Sequence, residues 1–130
     1  MAEPTFPCPC CGYLMFGEGP GSDDICEICY WEDDIVQLRD PHFAGGANVL
    51  SLLESQRNFA DFGAVEQRLR GNVRPPKPTE HRDPGWRPVD SAIDNFERSL
   101  HGGGWEAEWP QDRTVLYWWR PNYWRRNNKP

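Results

Sequence analysis

Two Cys-x2-Cys arms constrain this chain more than anything else in it. Cys8 and Cys11 form the first arm, within Cys8-Pro9-Cys10-Cys11-Gly12, and Cys26 and Cys29 form the second. The full pattern is C-x2-C-x14-C-x2-C, a spacing that lets four thiolates surround one tetrahedral ion. Pro9 fixes φ inside the first arm. Gly12 permits the positive φ that often closes such a turn.

A set of four thiolates is closed and leaves no position for water or substrate, so the expected role is structural and the expected cofactor is one Zn2+. Iron, which also suits tetrahedral sulfur, ranks second. Cys10 is the surplus thiol: a free group packed under the turn, or an alternative ligand to Cys8 or Cys11. A catalytic Cys10 would need a base beside it, and His42, His81 and His101 sit in no telling context. The N-terminus lacks a basic and apolar leader, and no apolar run approaches the ~20 residues of a membrane span. The expected compartment is the cytoplasm, where thiols stay reduced and metal is favoured over disulfides.

At 130 residues, with 12 Gly and 13 Pro, the chain is rich in loops and short of core. A structural metal remedies a thin core, and seven Trp add apolar area. The net charge of -6 is unevenly spread. Residues 1–64 hold 11 acids and 2 bases; residues 65–130 hold 9 acids and 12 bases. An acidic metal domain is a poor phosphate binder, which argues against nucleic acid as the partner.

Along the chain, residues 1–7 read as an extended lead-in. Tyr13–Phe16 reads as a strand, Gly17–Asp24 as a turn-rich loop, and Tyr30-Trp31 as the facing strand of a small ribbon. Glu32–Asp40 reads as a short helix with its acids in the first turn, ended by Asp40-Pro41. Ser51-x-x-Glu54 is a capping box opening a helix over about 51–62 that Gly63 stops. Its expected apolar face is Leu52, Leu53, Phe59 and Phe62, with Gln56, Arg57 and Asp61 turned outward. Val65–Leu69 reads as a further helical turn. Residues 77–89 form a Pro-rich connector of irregular structure. Asp90 is the N-cap of a second expected helix, near 91–100, carrying Ile93, Phe96 and Leu100. Thr114–Trp119 has strand composition.

Two other groups of residues compete for a functional role. Glu32, Asp33 and Asp34 could bind a hard cation or act as an acid–base pair. The plainer reading is helix capping and a solvated face, because neighbours on a helix diverge by about 100°. In the tail, Trp118, Trp119 and Trp124 interleave with Arg120 and Arg125, as in a protein-binding hot spot. The plainer reading there is that Trp fills the thin core and Arg stems cover it.

The run Cys8-Pro9-Cys10-Cys11-Gly12, followed by Cys26-x2-Cys29-x-Trp31-Glu32-Asp33-Asp34, resembles the bacterial cysteine-rich CPCC domain family. The likeness continues through Gln37, Gly45-Gly46-Ala47-Asn48, Ser51-Leu52, Asn58-Phe59 and Gly63-Ala64, roughly residues 7–76. The resemblance implies a small zinc-ribbon-like bacterial domain and leaves about Pro78–Pro130 outside.

Taken together, the expected fold is small α+β. A zinc-binding unit spans 1–76, a Pro-rich connector 77–89, and a helix with a Trp/Arg-rich strand segment 90–130. The expected function is a non-enzymatic protein-interaction module. A metal-dependent hydrolase using Glu32, Asp33 and Asp34 is the alternative, and nucleic-acid binding ranks third.

Overall fold

The computed structural model describes residues 5–96 and 108–125. Strand β1 (Phe6–Pro7) leads into the first cysteine arm, and β2 (Leu14–Phe16) leaves it. They pair antiparallel, with Phe6 opposite Phe16 and Pro7 opposite Leu14. The facing strand is therefore the lead-in and not Tyr30-Trp31. Tyr30 has φ +74°, a left-handed conformation that no strand adopts. The second arm instead closes its own small hairpin, with Ile25 bridged to Glu32 and the Asp23 N–H bonded to the Asp33 carbonyl.

Helix α1 (Ile35–Arg39) is one short helix, and its acids stand before it rather than in its first turn. Asp34 is the N-cap, accepting from the N–H groups of Val36 and Gln37. Helix α2 (Leu52–Phe62) carries the full capping box between Ser51 and Glu54, and stops at Gly63 with φ +85°. Its inward face differs from the expected one. Leu52, Ser55 and Gln56 are buried, whereas Phe59 and Phe62 are only half-buried. Next comes a 3-10 helix over Gln67–Asn72, two residues later than the turn expected from Val65.

The second expected helix does not form over residues 91–96. Asp90 does start a turn: its Oδ1 accepts the Ala92 N–H at 3.0 Å, and its carbonyl accepts the Asp94 N–H at 2.8 Å. Asp94 then leaves the helical path, because Arg87 and the Asp90 N–H hold its carboxylate. Ile93 is left 63% exposed while Phe96 is buried. The rest of that expected helix, residues 97–100, lies outside the described residues.

The expected C-terminal strand is a 3-10 helix, Arg113–Leu116, capped by Asp112 and followed by turns. Leu116, Tyr117, Trp118 and Trp119 are all buried in succession. A strand buries alternate residues on a given face, so four buried neighbours in this small protein require a folded-back path.

One core results. The cysteines, Trp31, Ile28, Leu38 and Leu52 form a single cluster with Leu116, Tyr117 and Trp118. The Pro-rich stretch is irregular, as its composition predicts, but it is packed rather than spacer-like. The Leu14 N–H bonds the His81 carbonyl, and the Asp83 N–H bonds the Gly12 carbonyl. Among the described residues no helix is long and apolar enough to cross a membrane.

Candidate metal centre

The two arms have the same backbone design. In the first, the Gly12 N–H bonds the Cys8 carbonyl at 2.6 Å and the Cys8 N–H bonds the Tyr13 carbonyl at 2.8 Å. In the second, Tyr30 N–H to Cys26 carbonyl is 2.7 Å and Cys26 N–H to Trp31 carbonyl is 3.0 Å. Each arm is thus a tight turn that points its two thiols to one side. Facing each other, the arms bring Cys8, Cys11, Cys26 and Cys29 together with all four sulfurs within 4.8 Å of one another.

The cross-arm distances are 3.6 Å for Cys8–Cys29 and 3.7 Å for Cys11–Cys26. A tetrahedron with Zn–S bonds of ~2.3 Å separates its sulfurs by about 3.8 Å, so the donor set fits a tetrahedral ion of that size. All four cysteines are at most 1% exposed, and none forms a disulfide. The Trp31 N–H points at the Cys29 sulfur at 3.4 Å, a donor suited to a ligating thiolate.

Electrostatics point the same way. Burial pushes the Cys8 and Cys29 thiols well above their usual range. Hydrogen bonds from Cys11, Cys29 and Cys8 hold the Cys26 thiol far below it. Four buried thiolates require a compensating cation, and four close cysteines can hold one.

Cys10 is 1% exposed and is not one of the four clustered donors. Burial raises its thiol pKa, and the side chain of Cys29 offsets part of the rise.

Buried amides hold the arms in place. Gln37 Oε1 accepts the indole N–H of Trp31 at 3.0 Å, while its Nε2 donates to the carbonyls of Phe43 and Leu50. Asn48 mimics a strand partner for Glu32: Oδ1 accepts the Glu32 N–H and Nδ2 donates to the Glu32 carbonyl, both at 2.9 Å. Gln56 reaches from α2 to the first arm, donating to the Pro9 carbonyl at 3.0 Å and accepting the Val89 N–H at 3.0 Å. Gln56, expected on the outward face, is buried instead. Its spacing from Leu52, Ser55 and Phe59, which is one helical face, was the available signal.

A second bracing comes from residues 82–86. Arg82 donates to the Cys11 carbonyl at 2.9 Å and lies over the rings of Tyr13 and Trp86. The Trp86 indole donates to the Pro9 carbonyl at 3.1 Å.

The three neighbouring carboxylates do not converge. Asp34 caps α1 and also accepts the Ala47 N–H. Asp33 is 1% exposed, and its Oδ2 takes both the N–H and the hydroxyl of Ser22. Burial raises its pKa, and the Ser22 bonds offset part of the rise. Glu32 is half-buried and faces a different cleft, beside Tyr30 and Asn48. Its pKa is also raised, by burial and then by Asp23 and Asp34.

Nor are the tail aromatics a surface. Trp118 and Trp119 are 1% and 8% exposed. The Trp118 indole bonds the Arg87 carbonyl, and the Trp119 indole bonds Asp83 at 2.6 Å. Arg120 pairs with the same Asp83 at 3.0 Å. Trp124 lies with Trp109 against the Arg39 guanidinium, at 4.8 and 4.5 Å. Arg125 is half-buried. Of the expected hot spot, Trp118 and Trp119 are core, because a chain this short spends its Trp on burial, while Arg120, Trp124 and Arg125 are half-buried.

Fold and site together define a small α+β, zinc-ribbon-like domain built around a four-cysteine cluster. The chain belongs to the cysteine-rich CPCC family, whose model matches residues 6–80. No curated protein matches the chain.

Proposed function

We propose that this protein is a zinc-stabilised protein-interaction module of the bacterial cytoplasm, with no catalytic activity of its own. The observation that supports this most is the closed donor set: four buried sulfurs, 3.6–3.7 Å apart across the arms, all from cysteine. Such a site supplies folding energy and no open coordination position. Zinc leads over iron because a d10 ion imposes no geometry and brings no redox chemistry to a buried structural site. The hydrolase alternative gains no support from Asp33 and Asp34, whose carboxylates are already engaged by Ser22 and by backbone N–H groups. Nucleic-acid binding gains none from Arg120, which is paired with Asp83.

The test is affinity capture from the native host with cross-linking, comparing the metal-loaded protein with a Cys26→Ser, Cys29→Ser variant. A partner recovered in stoichiometric amount by the loaded protein alone is the expected result. Turnover of a phosphoester or peptide panel that is lost on Glu32→Gln, with no partner recovered, would overturn it.

A further inference from the structure

A groove of about 630 Å³ lies between α2 and residues 87–92. Leu53, Arg57 and Ala60 line one wall; Val89 and Ala92 line the other. Gln56 forms the floor, and its two hydrogen bonds tie both walls to the first cysteine arm. The groove is thus braced by the metal centre from below. Its size falls within the ~300–1,000 Å³ typical of binding clefts.

Charge gives the groove a polarity. Residues 1–64 contain only two bases, Arg39 and Arg57. Arg39 is buried against Trp109 and Trp124. Arg57 is exposed, and among the described residues no carboxylate pairs with it. Arg87 is held by Asp94 at 2.6 and 2.9 Å. Asp90, on the opposite wall, accepts the Ala92 N–H and places a carboxylate across the groove from Arg57. In a strongly acidic half, an apolar channel with one unspent guanidinium at its rim is complementary to an aliphatic group next to a carboxylate.

We infer that this groove is the docking site of the interaction module: it takes an extended segment of a partner protein, aliphatic side chain seated between α2 and Val89, adjacent carboxylate on Arg57. This rests on the interaction function proposed above and names the surface and the chemistry of its partner. Gln56 joins the two walls through the Val89 N–H and links them to the first cysteine arm through the Pro9 carbonyl.

The test is a 15N–1H NMR titration of the zinc-loaded chain with the peptide acetyl-Gly-Leu-Val-Glu-Gly-amide, its Gln-for-Glu counterpart, and decanoate. The expected result is a set of shifts at Leu53, Ala60, Val89 and Ala92 with the acidic peptide. Affinity should weaken about tenfold, the equivalent of ~1.4 kcal/mol, with the Gln peptide and with Arg57→Glu. Arg57 is exposed, so the variant's spectrum should otherwise match the parent and report an intact fold. Absence of shifts at millimolar peptide would overturn the inference, as would shifts indifferent to Arg57→Glu. Shifts with decanoate alone would overturn it in favour of a small anionic amphiphile. If cellular partners are still captured by the Arg57→Glu protein, the groove is wrong while the interaction module survives; if the unsubstituted metal-loaded protein captures no partner, the module itself fails.

Discussion

Tyr30 occupies in the second cysteine arm the place that Gly12 occupies in the first. Each donates its N–H to the carbonyl of the leading cysteine, at 2.7 and 2.6 Å, and each has a left-handed backbone, φ +74° and +85°. The turn demands that conformation twice, and the chain meets it with two different residues. At Gly12 a side chain is excluded, because an added Cβ would clash with the Trp86 indole. At Tyr30 a ring is accommodated at the cost of left-handed strain.

Opposite outcomes are therefore expected for two substitutions. Gly12→Ala combines left-handed strain of ~1–2 kcal/mol with overpacking against Trp86 of ~1–3 kcal/mol, and should lower stability by about 2–5 kcal/mol. Tyr30→Gly relieves the strain but gives up ring contacts with the core, so its net effect should stay within about 1 kcal/mol. Urea midpoints of the zinc-loaded variants measure both. Equal losses would contradict the equivalence of the two positions.

Gln56 ties α2, the first arm and residue 89 together. Gln56→Leu leaves the Val89 N–H buried without its partner, at ~1–3 kcal/mol, while the Pro9 carbonyl keeps the Trp86 indole. Stability should fall by about 1–3 kcal/mol, and amide exchange at Val89 should accelerate. Unchanged exchange at Val89 would show that Gln56 does not hold that segment.

Arg39 anchors the residues beyond the family match. Its guanidinium lies against Trp109 and Trp124 and donates to the Glu108 carbonyl at 2.8 Å. Arg39→Leu removes those contacts, each cation–π pair being worth ~1–2 kcal/mol when desolvated. Limited proteolysis should then cut near residue 108 well before it cuts the cysteine arms. A digestion pattern matching the parent would contradict the anchoring role.

Asp33 sets a pH dependence. Burial raises its folded-state pKa above the unfolded value, so the folded protein holds the proton more tightly. Its contribution to stability is therefore present at low pH and is lost as pH rises from the unfolded pKa through the raised one. Asp33→Asn keeps an oxygen for Ser22 and removes the buried charge. The stability difference, variant minus parent, should grow more positive as pH rises across that window and level off above it. Paired urea titrations measure this difference, which subtracts the metal's own pH dependence because both proteins share the site. A flat difference would mean that Asp33 is not strained by burial.

Much of this was legible in the chain, for identifiable reasons. The cysteine arms follow from spacing alone, and the boundaries of α2 follow from Ser51, Glu54 and Gly63, whose roles are local. What was not legible is tertiary. No local rule marks Tyr30 as left-handed, so Tyr30-Trp31 read as a strand. Thr114–Trp119 has β-branched and aromatic residues, yet burial of four consecutive side chains overrides strand propensity. Asp90 is a sound N-cap, but the Arg87–Asp94 pair takes the chain off the helical path. The Pro-rich stretch reads as a spacer because nothing local shows that Arg82, Asp83 and Trp86 meet the first arm.

The metal site is tested most directly by native mass spectrometry of the untagged protein and its five single Cys→Ser variants, purified without added metal. The parent and Cys10→Ser should each carry one zinc with reduced thiols, and each of Cys8→Ser, Cys11→Ser, Cys26→Ser and Cys29→Ser should carry substoichiometric or no zinc. Loss of zinc in Cys10→Ser, or a metal-free parent whose mass shows paired cysteines, would contradict the four-cysteine centre.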